Sequence, residues 1–221
     1  MVAKTRKPLS ISLIHETALW TINRDGLEVL SMRNLAKALN VDPMAIYHHI
    51  PNKAALLSGI YEAVIAELFA EPSLETSWQA QLQYLLRRFR NLATRNPNIF
   101  PGLIASTQTS PGMARAIDTI LGILLEAGLS AKTTVQTADA VFAFITGFVL
   151  LELNHNALNT NESAQAAEAL PLANIARLRQ ELRSNQFLDS FEFGLQFLIA
   201  GIEANLSLES APKRKPRKSQ A

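Results

Sequence analysis

Residues 31–53, SMRNLAKALNVDPMAIYHHIPNK, decide the fold of this chain. Ser31 predicts the start of one short helix and Asp42 the start of the next, with Pro43 at its first position, where a missing N–H costs nothing. Pro51 predicts the end of the second helix after about two turns, because the residue before a proline is pushed out of helical geometry. Two short helices joined by a tight turn are typical of a DNA-binding helix-turn-helix.

The second helix of this motif is expected to carry large exposed side chains. Ala45 and Ile46 are predicted to face inward, and four larger side chains are left for the outside, with one of the two histidines near the flank: Met44, Tyr47, His48 and His49. For each histidine alone, packing or capping is the better explanation. The whole cluster on so short a helix indicates a partner surface, and a helix of this size fits the major groove of DNA.

Two longer helices are predicted on either side of the motif. The first is capped by Ser10, runs to about Asn23 and is ended by Gly26. The other is capped by Asn52, ends near Pro72 and is expected to link a small head to a larger body.

The body is predicted to be helical throughout, since no alternating strand pattern follows residue 72. Four helices are expected, separated by the prolines near 97 and 101 and by a polar stretch at 156–168: 77–95, 111–128, 130 to beyond 152, and 186–206. The predicted class is therefore all-α. The predicted domains are a helix-turn-helix DNA-binding domain, a linker helix, an effector-binding and dimerisation domain and a disordered basic tail: 1–52, 53–72, 73–208 and 209–221.

Two body helices contain more apolar residues than one buried face needs. They include VFAFITGFVLLEL at 141–153 and FEFGLQFLIAGIEANL at 191–206. We expect the two helices to pair with the same helices of a second copy, giving a homodimer through a four-helix bundle. The apolar run 141–151 is predicted to be too short to cross a bilayer and to form a buried core helix, so no membrane partner is expected.

Composition and charge restrict the function. The 221 residues are 48% hydrophobic and contain no cysteine, which excludes disulfides and thiolate metal sites and fits a reducing compartment. The basic N-terminus is followed by a polar helix rather than an apolar segment, so it is no secretory signal and a cytoplasmic protein is expected. Residues 1–61 contain seven Lys/Arg and four Asp/Glu, whereas residues 62–211 contain nine Lys/Arg and fifteen Asp/Glu. The last ten residues contain five basic residues, so two basic ends flank an acidic middle segment.

These motifs resemble the TetR family of one-component bacterial regulators. The resemblance is carried by GLE, LSMRNLA, LNV and IYHHIPNKAALL, at 26–28, 30–36, 39–41 and 46–57. It continues more weakly through the body, in the segments SWQ, FR, FGL and GIE at 77–79, 89–90, 193–195 and 201–203. The resemblance implies a three-helix DNA-binding head and a dimeric helical ligand-binding domain.

The resemblance also implies a set of DNA contacts: Arg33, Pro43, Met44, Tyr47, His48, His49 and Lys53. Arg33 is expected at a guanine edge or a phosphate, and Tyr47 and Lys53 at phosphates. Met44 and Pro43 offer apolar contact to a thymine methyl group.

On the ligand side the chain departs from family members that bind a magnesium-chelated drug through a histidine and a glutamate. The histidine position falls on Leu103 or Ile104, and the glutamate position falls on Leu151, with Glu152 one residue away. No metal and no cofactor are therefore expected. The effector is predicted to be mostly apolar, and its candidate lining residues fit an ordinary core equally well: Phe89, Leu92, Phe100, Met113, Ile117 and Phe144.

The sequence favours a ligand-responsive repressor that binds a palindromic double-stranded DNA operator as a homodimer and is released by a small-molecule effector. The alternative is a DNA-binding regulator whose body is a protein-interaction platform without such an effector. An enzyme is disfavoured and no catalytic residue is predicted, because His155 is the only histidine of the body and no nucleophile motif is present. A helical carrier would leave the exposed Tyr47–His49 cluster without a purpose.

Overall fold

The computed structural model describes residues 8–106, 110–157, 172–184 and 186–210. Every regular element in these ranges is helical, and the all-α prediction is confirmed. The predictions for the basic N-terminus before Pro8, most of the polar stretch at 156–168 and the tail beyond residue 210 lie outside the described residues. The disordered tail was predicted to begin at residue 209, but Glu209 and Ser210 belong to the last helix, which ends at Ser210, so that boundary was wrong.

Eleven helices follow one another along the described ranges, with short 3-10 turns at Leu27–Val29 and Glu67–Phe69. Their bounds are α1 Ile11–Asp25, α2 Met32–Leu39, α3 Pro43–Tyr47, α4 Lys53–Ala66, α5 Trp78–Arg95, α6 Phe100–Ala105, α7 Pro111–Glu126, α8 Ala131–Ala157, α9 Ala173–Arg177, α10 Arg179–Ser184 and α11 Phe187–Ser210.

The predicted helix starts in the first quarter of the chain are confirmed by their caps. Ser10 Oγ accepts a hydrogen bond from the Leu13 amide at 3.2 Å. Asn52 Oδ1 accepts one from the Ala55 amide at 2.8 Å. Gly26 ends α1 with φ of 93°, a backbone conformation that glycine adopts without steric cost.

The first of two compact units comprises the chain up to Leu74 together with Tyr84–Asp118. Its head has a core in which eight apolar side chains are almost fully buried: Ile14, Ala18, Ile22, Leu35, Ile46, Ile50, Leu56 and Ile60. The end of α1 is bound to the loop after α5, where Asn23 Nδ2 donates to Asn96 Oδ1 at 3.0 Å and Asn98 Nδ2 donates to the Ile22 carbonyl at 2.9 Å.

The second unit comprises Glu75–Gln83 and the chain from Thr119 onward, and α8 and α11 form its core. Phe144 stacks on Phe191 with ring centroids 6.0 Å apart, and Gly194 lets the two helices approach, since a β-carbon there would meet the Phe144 ring. The Glu209 carboxylate accepts hydrogen bonds from Thr133 Oγ1 and from the Ser130 amide and hydroxyl at the start of α8. These bonds lower the pKa of Glu209.

Three short helices of the body are absent from the sequence prediction. The segment after Asn96 was predicted as a loop because of its prolines, but Pro101 lies in the first turn of α6, where a proline is compatible with a helix. The prediction of a simple break was therefore wrong. The helices α9 and α10 follow the polar stretch and carry no strong apolar periodicity, which is the signal on which the prediction depended.

Helix α8 is longer than its apolar run indicated. It spans 27 residues, and by length and composition alone the segment Ala131–His155 could cross a membrane, a test that core helices also pass. The helix itself agrees with the prediction of a helix from residue 130 to beyond 152, whereas the expectation that it is too short to cross a bilayer rested on the run 141–151 alone and was wrong by length and composition. Only 33% of its most apolar window is buried, with Val141, Ile145 and Val149 on the buried face, so the predicted buried core helix is found on one face of α8 only.

Candidate nucleic-acid interface and effector site

Helix α2 forms the first half of the predicted helix-turn-helix. Ser31 Oγ accepts a hydrogen bond from the Asn34 amide at 3.1 Å and so caps the helix. Leu35 and Ala36 are buried, whereas Arg33 is exposed, as the amphipathic pattern predicted.

The turn after α2 depends on Asn40. Its backbone has φ of 52° and ψ of 51°, the left-handed conformation that asparagine tolerates better than most residues. Its amide donates to the carbonyls of Ala36 and Lys37 and closes the helix. This cap ends α2, and three residues, 40–42, separate it from α3.

Helix α3 is shorter than predicted. It contains five residues, Pro43–Tyr47, rather than about two turns, because the chain turns at residues 48 and 49, before Pro51 is reached. Asp42 Oδ1 accepts a hydrogen bond from the Met44 amide at 2.8 Å, which confirms the cap. Ile46 is fully buried, so one side chain anchors the helix from its inner face.

The outer face of α3 and the turn after it carry the predicted cluster. Met44 is 62% exposed and Tyr47 is 43% exposed. His48 and His49 are both exposed, as predicted for side chains that lie outside the core. Both histidines follow the last residue of α3, so the helical spacing that placed one of them near the flank does not apply to them.

Three basic side chains accompany this cluster. Arg33 and Lys53 are exposed. Together with the four residues of the cluster they make six exposed residues among the seven predicted DNA contacts, and the seventh, Pro43, is half-buried at the start of α3. Lys37, also exposed, lies one helical turn after Arg33 and was not among the predicted contacts, although its spacing of four residues indicated the same face. Asp42 is the one acid between residues 31 and 53, and its carboxylate caps α3. This surface combines cationic donors with apolar and aromatic groups, as contact with phosphates and base edges requires.

Five of the six predicted effector-lining residues belong to the first unit. Phe89 and Phe100 meet edge to face, with ring centroids 5.4 Å apart. Leu92 and Met113 are almost fully buried, and Ile117 is half-buried. The sixth residue, Phe144, belongs to the second unit, where it stacks on Phe191.

The positions at which some family members place metal ligands differ in their surroundings. Leu103 is buried and Ile104 is half-buried in the first unit. In the second unit Leu151 is exposed and Glu152 is buried. In the ranges that the structure describes, no group of three or more His, Cys, Asp and Glu side chains could hold a metal ion.

Family models match this chain along most of its length. Residues 14–60 match the model for bacterial regulatory proteins of the tetR family. Residues 71–206 match the model for the tetracyclin repressor-like C-terminal domain. The chain belongs to the TetR family. The resemblance that the sequence motifs indicated is thereby confirmed, and this TetR-family protein is a transcriptional regulator.

Full-length relatives and solved structures agree with this assignment. The class E tetracycline repressor protein of Escherichia coli is 30% identical over 200 residues, covering 90% of this chain and 92% of that protein. The crystal structure of a possible TetR family regulator from Streptomyces coelicolor A3(2) is 27% identical, with a TM-score of 0.75 over 88% of this chain and 99% of that one. The structure of ActR from Streptomyces coelicolor in complex with actinorhodin, 24% identical, shares the fold with a TM-score of 0.74 over 90% of this chain and 99% of that one.

Proposed function

We propose that this TetR-family protein is a repressor that binds a palindromic operator as a homodimer, with α3 of each protomer in the major groove. The exposed cluster at α3 supports the proposal. Met44 and Tyr47 are exposed on α3, which Ile46 anchors from its inner face, and the exposed His48 and His49 follow directly. Aromatic and apolar side chains that are exposed on a helix of five residues do not contribute to the core. They suit contact with base edges and phosphates.

Each proposed contact residue has its own role. Arg33 donates to a guanine edge or a phosphate, and Lys53 and Tyr47 bind phosphates and set the position of the head on the duplex. Met44 and Pro43 contact thymine methyl groups, and His48 and His49 extend the same surface with ring donors.

The homodimer is supported by the outer face of α11 and by exposed residues of α8. Phe193 and Phe197 are 71% and 76% exposed, although they lie four residues apart on the same face of α11. Leu151 of α8 is 65% exposed. A second copy would cover these side chains, and the two-fold symmetry of such a pair requires a palindromic operator.

The proposed effector is a mostly apolar small molecule that binds without a metal bridge among Phe89, Leu92, Phe100, Met113 and Ile117. These side chains are apolar, and the positions that would supply metal ligands hold Leu103 and Ile104 instead. The part played by Phe144 stays a prediction of the sequence.

Gel-shift titration tests the proposal with duplexes recovered from a random-sequence pool and with a scrambled duplex of equal length. We expect a palindromic sequence to be bound at a specific affinity about 10³-fold or more above that for scrambled DNA at physiological salt. Equal binding to all duplexes would contradict the proposal.

The alternative of a protein-interaction body without a small effector is favoured by one observation. Leu92, Phe100 and Met113 are each only 1% exposed, as in an ordinary core. Thermal unfolding against a panel of apolar compounds separates the two functions. A compound that raises Tm and also releases DNA supports the effector, whereas a panel in which no compound does so supports the alternative.

A further inference from the structure

We propose that Glu62 is a positioning residue through which the DNA-binding head and helix α7 respond to each other. The inference rests on the proposed function, since it concerns how DNA binding at the head affects helix α7. Glu62 lies on α4, and its carboxylate accepts a hydrogen bond from Ser110 Oγ at 2.6 Å and one from the Gly112 amide at 2.9 Å. We call this pair of bonds the Glu62 clasp.

The Glu62 clasp closes the start of α7. Pro111 has no amide hydrogen, so the Gly112 amide is the first free donor of the helix, and the carboxylate of Glu62 binds it. Ser110 Oγ also accepts a hydrogen bond from the Met113 amide at 3.1 Å, and Ser110 is buried. A charged acceptor at a helix N-terminus forms stronger hydrogen bonds than a neutral one and is favoured by the helix dipole.

Glycines bring the helices around the clasp into close contact. A β-carbon on Gly112 would overlap Ile65 Cγ2, one turn along α4 from Glu62. A β-carbon on Gly102 of α6 would overlap the Tyr61 hydroxyl. Helix α4 is therefore in direct contact with α6 at Gly102 and with α7 at Gly112.

The same two helices carry the proposed binding residues. Lys53, a proposed DNA contact, is the first residue of α4. Met113 and Ile117, proposed effector contacts, lie in the first two turns of α7. A displacement of α7 must therefore either move α4 with it or break the Glu62 clasp. Because coupling between two binding events is reciprocal, DNA bound at the head must also change the stability of the first turn of α7.

Operator DNA is the probe, so the test needs no knowledge of the effector. Amide hydrogen exchange of residues 112–114 is measured in the full chain with and without the tightest-binding duplex from the random pool. In the unsubstituted protein we expect DNA to slow this exchange by about fivefold or more. In Glu62→Ala the ratio of the two exchange rates is expected to fall to about one, while DNA is still bound.

Glu16→Ala is the matched control. Glu16 accepts a hydrogen bond from Ser12 Oγ at 2.7 Å within α1, so the variant removes a similar carboxylate–hydroxyl bond that joins no second helix. It must keep the ratio of the unsubstituted protein. Glu62→Gln keeps one acceptor oxygen and is expected to give an intermediate ratio, which also provides a result should Glu62→Ala fail to fold.

The outcomes separate this inference from the proposed function. A chain that binds no duplex in the gel shift contradicts the proposed function. A chain that binds DNA but shows unchanged exchange at residues 112–114 overturns the coupling. Unchanged coupling in both Glu62 variants overturns the role of Glu62.

Discussion

The imidazole of His15 lies directly against Gly59, and a β-carbon on Gly59 would overlap ring atoms Cε1 and Nε2. His15 is on α1 and Gly59 is on α4, so this contact sets how closely these two helices approach each other. His15 also lines part of a groove between the two helices, together with Ile11, Leu19 and Ile60.

Gly59→Ala is expected to destabilise the protein by about 1 kcal/mol. An added methyl group in a packed contact costs about 1–3 kcal/mol, and alanine in a helix recovers about 0.5–1 kcal/mol of that cost. The measurement is urea unfolding. Gly122→Ala is the control, because nothing lies within 4 Å of a β-carbon there and the substitution should stabilise α7. A neutral or stabilising Gly59→Ala would contradict the packing of His15 against it.

His15 should make the head less stable at low pH. Burial lowers the pKa of His15 below its usual 6.5, although Glu16 and Glu67 line the same groove. The unfolded chain therefore takes up a proton at His15 before the folded chain does, so stability is full above pH 6.5 and falls as the pH drops through the lowered value. Urea unfolding at pH 7.5 and 5.5 should show a smaller loss for His15→Gln. An equal loss in both proteins would count against this role.

Arg33→Ala and Lys53→Ala should differ in their effects on DNA binding. Loss of a guanidinium that contacts a base edge is expected to cost about 1–3 kcal/mol of binding to the specific duplex and to leave binding to scrambled DNA little changed. Loss of a phosphate contact at Lys53 should weaken both duplexes alike and reduce the salt dependence. Gel shifts at two salt concentrations measure both effects, and identical profiles for the two variants would argue against these separate roles.

The double substitution Phe193→Ser and Phe197→Ser should convert the proposed homodimer into a monomer. Both rings are exposed on one face of α11, and each buried aromatic at a subunit interface stabilises it by about 1.5–3 kcal/mol. Sedimentation velocity measures the molecular mass. Leu74→Ser is the control, because Leu74 is 92% exposed and lies outside α8 and α11. A double variant that keeps the dimer mass would place the interface elsewhere.

The helices of the head were predictable because each start carries a local signal. Ser10, Ser31, Asp42 and Asn52 precede their helices in sequence, and each accepts the predicted type of hydrogen bond from an amide two or three residues later. In the body, α6 was missed because the sequence alone does not show whether a proline such as Pro101 ends one helix or lies in the first turn of another. The extent of α8 was predicted, but the apolar run 141–151 is shorter than the segment Ala131–His155 that could cross a membrane by length and composition.

Exposure within the candidate interface was predicted for all four side chains of the cluster, although helical spacing holds for only two of them. Arg33, Met44 and Tyr47 are exposed as the helical pattern indicated. His48 and His49 follow a helix that ends earlier than Pro51 suggested, so no spacing argument could place them. Contacts between residues far apart in sequence, such as Glu62 with Ser110, leave no local pattern from which to infer them.

Helix α3 separates the residues on which folding depends from those that face outward. Ile46 and Ile50 anchor this part of the chain and Asp42 fixes its start, whereas none of the side chains of Met44, Tyr47, His48 and His49 is buried. Substitutions at these four positions should change stability by no more than about 0.5 kcal/mol. A descendant of this regulator can therefore acquire a new operator one residue at a time, with no compensating change in its core.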